Sequence, residues 1–450
     1  MTDISAQPMP SQSAAASIMV GSKGMKKRHA AEARFKAYGV VAIVFSLGVL
    51  AFMLFTIFSD GISAFRQAQL TFPVTIDAAV VDPTGTRDRD TMAKVTTFSY
   101  AKVLNNSIVA ALLAKGIPQE KVSDKELGEM VSKSAPAQVR NMVLADPSLV
   151  GETVTISVFA NGRIDGYFKG RVTRDTASRD SNVSPAQLDL ADTLRDAGIL
   201  SLGWNSRFLT NSDSSDLRPE TAGLGVAILG SLYLMFLVLV ICVPIGVAAS
   251  IYLEEFAPKN RWTDIIEVNI SNLAAVPSIV FGILGLALFI NFAGLPQSSA
   301  MVGALVISLM TLPTIIIASR SSIRAVPPSI RDAALGVGAS KMQTVFHHVL
   351  PLAAPGILTG TILGLASALG ETAPLLLIGM VAFVDNYPGA PIAGFFDPAT
   401  ALPVQVYSWA SRSDPAFLER SSGAIIVLLV FLVIMNVTAI ILRRKFERRW

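Results

Sequence analysis

Cysteine is nearly absent: Cys242 is the single one in 450 residues, which excludes an intrachain disulfide, a cysteine metal cluster and a paired-thiol redox centre. Histidine is almost as scarce, with only His29, His347 and His348. Charged residues make up 16% of the chain, against about 25% in an ordinary soluble domain. Patterns that carry hydrolytic chemistry are missing too: there is no G-x-S-x-G, no H-E-x-x-H and no Walker A sequence. The stretch "GVGASKM" at Gly336 has glycines and a lysine at the wrong spacing. The chain is therefore not read as an enzyme, and any ATP-driven step has to use a partner's nucleotide site.

What the sequence has in quantity is apolar surface, with 52% hydrophobic residues and a mean hydropathy of +0.53. A membrane helix needs about 20 apolar residues. Six runs qualify: Gly39 to Phe58, Gly223 to Leu253, Leu273 to Phe292, Met301 to Ser319, Ala353 to Phe383 and Gly423 to Leu442. The fold class expected is an all-α polytopic membrane protein with six transmembrane helices. The first run is too long for a signal-peptide core and has no small-residue cleavage site, so it reads as an uncleaved anchor.

Orientation follows from the basic residues beside the spans. Lys23, Lys26, Lys27, Arg28, Arg34 and Lys36 precede the first run, and Arg443, Arg444, Lys445, Arg448 and Arg449 follow the last. Lys259 and Arg261 fall in one short loop, and Arg320, Arg324, Arg331 and Lys341 in another, whereas "AGLPQSS" on the opposite side has no charge. Both termini are expected in the cytoplasm of a bacterial cell, and the net charge of +4 reflects topology, with no nucleic-acid affinity. The layout is a basic cytoplasmic tail at 1–36, including the polar "SQSAAAS" read as disordered, a first helix at 37–58, an extracytoplasmic domain at 59–221, a five-helix core at 222–443 and a basic tail at 444–450.

The 59–221 segment has mixed periodicity and is expected to be a small α+β domain. "ETVTISVFANGRIDGYFKGRV" reads as a hairpin about an Asn161-Gly162 turn. "SDKELGEMVSKSAPAQVRNMVL" and "SPAQLDLADTLRDAGIL" read as helical, each opened by a serine N-cap. The segment contains neither Cys nor His, and its scattered acids Asp124, Asp146 and Asp165 lack metal-ligand spacing; a docking or spacer role is preferred to catalysis. Cys242 reads as a small packing residue.

Within the fifth run, Glu371 and Pro374 stand out, because ionisable groups inside spans face a cavity or a partner. Three readings of Glu371 stand: pairing with a cation of a partner chain, hydrogen bonding to a protonated anion, or capping where Gly370 and Pro374 disturb the helix. Pro374 is expected to kink the helix, with Thr372 serving a freed carbonyl. Arg320 reads first as a positive-inside anchor and second as a partner of substrate or of Glu371. Asn272 is a pathway candidate, while Gly282 and Gly285 read as packing glycines.

The segment 329–356, "SIRDAALGVGASKMQTVFHHVLPLAAPG", reads as a short helix ended at Gly336 or Gly338, a second helix from Met342 to Val349, and a stop at Pro351. Its spacing resembles the EAA loop of ABC importer permeases, E-A-A-x3-G-x9-I-x-L-P, with Asp332, Ala333, Ala334, Gly338, Leu350 and Pro351 in register, Asp332 replacing Glu and His348 standing in the usual apolar place. "PIGVAASIYLEEFAP", "NISNLAAVPSIVFGILGLALFI" and "ALGETAPLLLIG" are similar to phosphate-importer permeases, and Gly370 to Pro374 resembles the PstA-type subunit.

The resemblance runs from Leu224 to about Leu442. It implies an ABC importer permease core at 222–443 that pairs with a PstC-type permease, docks two copies of a PstB-type ATPase and receives phosphate from a PstS-type binding protein. ATP and Mg would sit on the ATPase, with no cofactor bound by this chain. Arginines common in that family at two places are Ser367 and Ile317 here, so the partner is expected to supply more of the positive charge. Ser367 joins Glu371, Thr372, Pro374, Asn272 and Arg320 as a candidate for the pathway or the permease interface. Permeases for sulfate, molybdate or phosphonate are the nearest variants, and a membrane-anchored ligand sensor is the reading from another class.

Overall fold

The computed structural model describes residues 23–117, 123–180, 182–381 and 383–446. Both the "SQSAAAS" stretch and the last two arginines lie outside them. The chain divides into two compact units, Met1–Phe58 and Ser59–Trp450. The first is carried by α1 (Lys23–Gly61), whose aromatic and aliphatic side chains, Phe45 and Phe52 among them, are exposed all round. A helix apolar on every face suits lipid. It begins well before the apolar run, since "HAAEARFKA" is rich in helix formers and Glu32 pairs with Lys36 at 3.1 Å, one turn apart.

In the second unit, residues from Arg66 to Trp204 form three antiparallel strands in the order β2-β1-β3, namely β1 (Arg66–Thr75), β2 (Thr153–Phe159) and β3 (Leu200–Trp204). Alternation along β1 buries Ala68, Leu70, Phe72 and Val74. They pack with Tyr100, Val103, Leu104 and Ile108 of α2 (Thr97–Ala114) into one core. Pro73 is tolerated in the central strand because β3 pairs only with Arg66 to Leu70, and the last ladder donor on that side is Thr71 N–H to Ile199 O at 2.8 Å.

Two helical expectations hold at their starts, where the signal is local. Ser123 caps α3 (Asp124–Gly128) through a reciprocal capping box with Glu126, and Ser184 does the same with Gln187 at α6 (Pro185–Asp196). The first of these stretches is not one helix, however: α4 (Ala135–Ala145) starts anew with Pro136 in its first turn. The Asn161-Gly162 hairpin is overturned. Asn161 Oδ1 accepts the Arg163 N–H at 2.9 Å and caps α5 (Gly162–Phe168), while β2 finds its partner in β1, with Leu70 opposite Val158.

The membrane-type helices follow: α7 (Gly225–Phe256), α8 (Arg261–Ala274), α9 (Ser278–Phe292), α10 (Ala300–Arg324), α11 (Pro328–Gly336), α12 (Lys341–Leu369), α13 (Ala373–Leu377), α14 (Leu402–Ala410) and α15 (Pro415–Phe446). Five helices, α1 among them, are long and apolar enough to cross a membrane, and α8 with α9 forms a sixth, broken pair bent by 100°. The third run therefore does not open at Leu273; Pro277, which lacks an N–H, separates an amphipathic α8 from an apolar α9. Small residues let the core helices meet closely: a Cβ on Gly246 would lie 2.8 Å from Ile315 of α10, and one on Gly360 of α12 would collide with Ala318. Cys242 is fully buried in that core and its Sγ donates to Ser308 O at 3.4 Å.

The strand-bearing segment is tied to α15 by buried charges. Lys169 Nζ lies 2.9 Å from both Asp165 Oδ2 and Glu419 Oε1, and Arg171 Nη2 lies 2.7 Å from Glu419 Oε2. Asp165 Oδ1 also accepts the Ala68 N–H at 2.9 Å. Beside them Arg420 donates to Ala222 O at 2.8 Å and Gln67 Oε1 at 3.0 Å. Such groups, out of water, are affordable only when paired and hydrogen-bonded.

Candidate coupling and translocation site

Residues 329–356 fold as two helices at a sharp corner. Pro327 and Pro328 open α11, since proline at the first turn forfeits a donor that has no partner anyway. Beyond Gly336 the chain turns at Gly338, with φ of +91°, a conformation that costs any residue with a Cβ about 1–2 kcal/mol. Ser340 then caps the next helix with a capping box to Gln343. Asp332, Ala333 and Gly338 are exposed, Ala334 is buried, and Leu350 and Pro351 are half-buried. The loop rests on a small core made by Ile251, Ile323, Val326, Val345, Val349 and Ala353.

Pro351 does not stop the second helix. The helix runs unbroken from Lys341 to Leu369, because residues Thr344–Val349 adopt a wider π turn, which relieves the clash of the proline ring with the carbonyl four residues back. The second half of the 329–356 segment and the apolar helix that follows are thus one rod.

Arg320, Arg324 and Arg331 are spent on carboxylates. Arg320 Nη2 lies 2.6 Å from Glu267 Oε1 of α8 and 3.3 Å from Glu254 Oε2 of α7, and Arg324 Nε meets Glu254 Oε1 at 3.0 Å. Arg331 of α11 donates to Glu255 Oε1 at 2.7 Å, to Val326 O at 2.6 Å and to Ile323 O at 2.9 Å. Glu254, Glu255 and Glu267 are the functional-type residues that pattern reading passed over. Their signal was two adjacent acids closing an apolar run amid arginines, "IYLEEFAPKNR".

The Gly370-Glu371-Thr372-Ala373-Pro374 string is a break in the chain rather than a kinked helix. The fifth run is not one span: α12 ends at Leu369, and Pro374 stands in the first turn of α13. Glu371 is half-buried, with its N–H on Ala368 O at 3.3 Å, and Ser367 is exposed one turn earlier. Among the described residues Thr372 Oγ1 serves no carbonyl. A Cβ on Gly282 of α9 would lie 2.8 Å from Pro374 Cα, so Gly282 is a packing glycine against this segment. Ser298 fixes the far side, its N–H on Ile378 O at 3.1 Å and its Oγ on Gly379 O at 2.6 Å. Asn272 is exposed on α8 just before the break. The structure brings Ser367, Glu371, Thr372 and Pro374 into one segment and places Arg320 and Asn272 elsewhere.

Residues 243–450 match the model of the family described as binding-protein-dependent transport system inner membrane component, and residues 22–178 match a domain of unknown function, DUF3333. The chain is 30% identical over 241 residues to the probable ABC transporter permease protein YqgI of Bacillus subtilis (strain 168), covering 52% of this chain and 81% of YqgI. It is likewise 30% identical over 257 residues to the phosphate transport system permease protein PstA 1 of Mycobacterium tuberculosis (strain CDC 1551 / Oshkosh), covering 56% of this chain and 82% of that one. An inward-facing structure of the MetNI methionine ABC transporter aligns over 50% of this chain and 97% of its own, at 14% identity and a TM-score of 0.39. The chain belongs to the binding-protein-dependent transport permeases, as an ABC importer permease of the PstA type.

Proposed function

We propose that this permease imports phosphate, with both termini in the cytoplasm and the 59–221 domain on the outer side. Its partners are a PstC-type permease, two PstB-type ATPases that hold ATP and Mg, and a PstS-type binding protein. The observation that carries the coupling part is the continuity of α12 from Lys341 to Leu369. A push on the exposed Asp332-Ala333 face of α11 passes through the Gly338 corner to α12, which carries it to the Ser367-Glu371 segment over about 40 Å at 1.5 Å per residue. Glu371 repels a free anion, so its role is to hold a cation of the partner permease or to mark the pivot beside Gly370 and Pro374. Similarity to PstA proteins, at about 30% identity, supports phosphate as the cargo.

Uptake of radiolabelled phosphate against sulfate, in cells without their own importers and with the complex carrying wild-type permease or Glu371→Gln, tests this. Phosphate uptake by the wild type and its loss in the variant, with the complex intact, is expected. Sulfate uptake without phosphate uptake in the wild type overturns the cargo, and undiminished phosphate uptake by the variant overturns the role of Glu371.

A further inference from the structure

A cavity of about 480 Å³ opens between α4, the stretch 207–221 that leads into α7, and the loop that follows α13. Most of its lining residues are polar, with Ala137 and Phe159 the exceptions, and two of them are the arginines Arg207 and Arg218. Arg207 is held in place: Nη1 donates to Gln138 Oε1 at 2.9 Å, and its guanidinium carbon lies 5.0 Å from the centre of the Phe159 ring. Its remaining N–H groups find no acceptor among the described residues, and neither does any part of the Arg218 guanidinium. No carboxylate of the described residues lies within ion-pair distance of either.

The two carboxylates at the cavity are committed. Asp213 accepts from Trp409 Nε1 at 2.8 Å and from Arg412 Nη2 at 2.6 Å. Asp385 Oδ1 accepts from Ser212 Oγ at 3.2 Å. With Asp213 offset by Arg412, the cavity carries two cationic forks against one carboxylate. The exposed amide of Asn141 adds a neutral donor at the rim.

We infer that this cavity is an oxyanion-binding site of the outer face, taking phosphate or a closely similar tetrahedral anion; the choice of phosphate rests on the proposed function. Unspent guanidinium donors on two arginines that line one cavity match the paired oxygens of a tetrahedral anion. The position gives binding a consequence. Ser212, Asp385 and Tyr387 share the wall, and the Tyr387 hydroxyl donates to Thr210 O, so an anion held there bridges the stretch before α7 and the loop that continues from the Glu371 segment.

The test uses the assembled complex in lipid nanodiscs, without ATP or binding protein, and equilibrium dialysis with [32P]phosphate at fixed ionic strength. Saturable binding is expected, at least ten-fold weaker in Arg218→Gln, weaker still in the Arg207→Gln/Arg218→Gln double variant and partly kept in Arg218→Lys. Asn141→Asp removes no internal contact, adds a negative charge at the rim and has to weaken binding even if the arginine variants fail to assemble. Binding that is equal in wild type, the double variant and Asn141→Asp, or that never saturates, overturns the inference, and it does so without touching the transport reading if the wild type still imports phosphate. Arginine-dependent binding of sulfate in a complex that imports no phosphate upholds the site and overturns phosphate as its ligand.

Discussion

The Arg331 guanidinium grips the Glu255 carboxylate through two nitrogens, at 2.7 and 3.0 Å, and so fastens α11, the proposed coupling helix, to the end of α7. The same guanidinium closes on the carbonyls of Val326 and Ile323. A forked cation with four hydrogen bonds to three acceptors sets the angle of α11 in a way a lysine would not. Arg331→Lys or Glu255→Gln is expected to lower transport-coupled ATP hydrolysis by roughly ten-fold, the equivalent of about 1.4 kcal/mol, while copurification of the subunits persists. Steady-state ATPase of the reconstituted complex is the check.

Gly338 is the corner of the proposed coupling loop, and nothing surrounds the place a Cβ would take. The cost of Gly338→Ala is therefore backbone strain at φ of +91°, not a clash. It should cost about 1–2 kcal/mol locally and, together with Asp332→Ala, abolish substrate-stimulated ATP hydrolysis with assembly still detectable.

Gly282 faces the backbone of Pro374 at contact distance. Gly282→Ala forces α9 away from the Glu371 segment, with an overpacking cost of about 1–3 kcal/mol. Uptake should fall by more than the amount of complex in the membrane, as measured by immunoblot against the initial uptake rate.

Glu220 is buried and accepts from Ser132 Oγ at 2.5 Å. Burial, with some help from the Asp165 charge, pushes its carboxyl above the usual carboxylate range, against the pull of the Ser132 hydrogen bond and the nearby Arg420. A carboxyl whose pKa is raised on folding stabilises the protonated fold below its unfolded pKa, and that contribution is lost as pH rises through the folded value. Thermal unfolding in detergent across a pH series should show wild type losing stability on the alkaline side of that transition, and Glu220→Gln losing less.

Lys169 sits between Asp165 and Glu419, each at 2.9 Å. Lys169→Met leaves two buried carboxylates sharing Arg171 alone, a loss of about 3–5 kcal/mol. Adding Glu419→Gln, which removes the excess charge, should recover part of it in a double-mutant cycle of unfolding temperature.

How much of this was legible follows from how local each signal is. The caps Ser123 and Ser184 are written in neighbouring residues and appear where the sequence puts them, as do most of the apolar runs, though the third breaks at Pro277 and the fifth ends at Leu369. The β1–β2 pairing is not, because Val158 chooses Leu70 across 88 residues over a ready Asn-Gly turn. Pro351 and Pro374 misled in opposite directions. A π turn upstream rescues the first, and the helix had already ended before the second. The partners of Arg320 and Arg331 were hidden because Glu254, Glu255 and Glu267 reach them only once α7, α8 and α10 are packed.

The charges joining Lys169 and Arg171 to Glu419 cross 250 positions of the sequence, and the bond from Arg420 to Gln67 crosses 353. A ribosome makes the strand-bearing segment early and α15 last. Lys169 and Arg171 therefore share Asp165 without Glu419 through the synthesis of nearly the whole permease core, and the order of manufacture makes the final helix the keystone that lets the strand-bearing segment set. Truncation before Pro415 would leave that segment open to proteases and chaperones even though none of its own residues is missing.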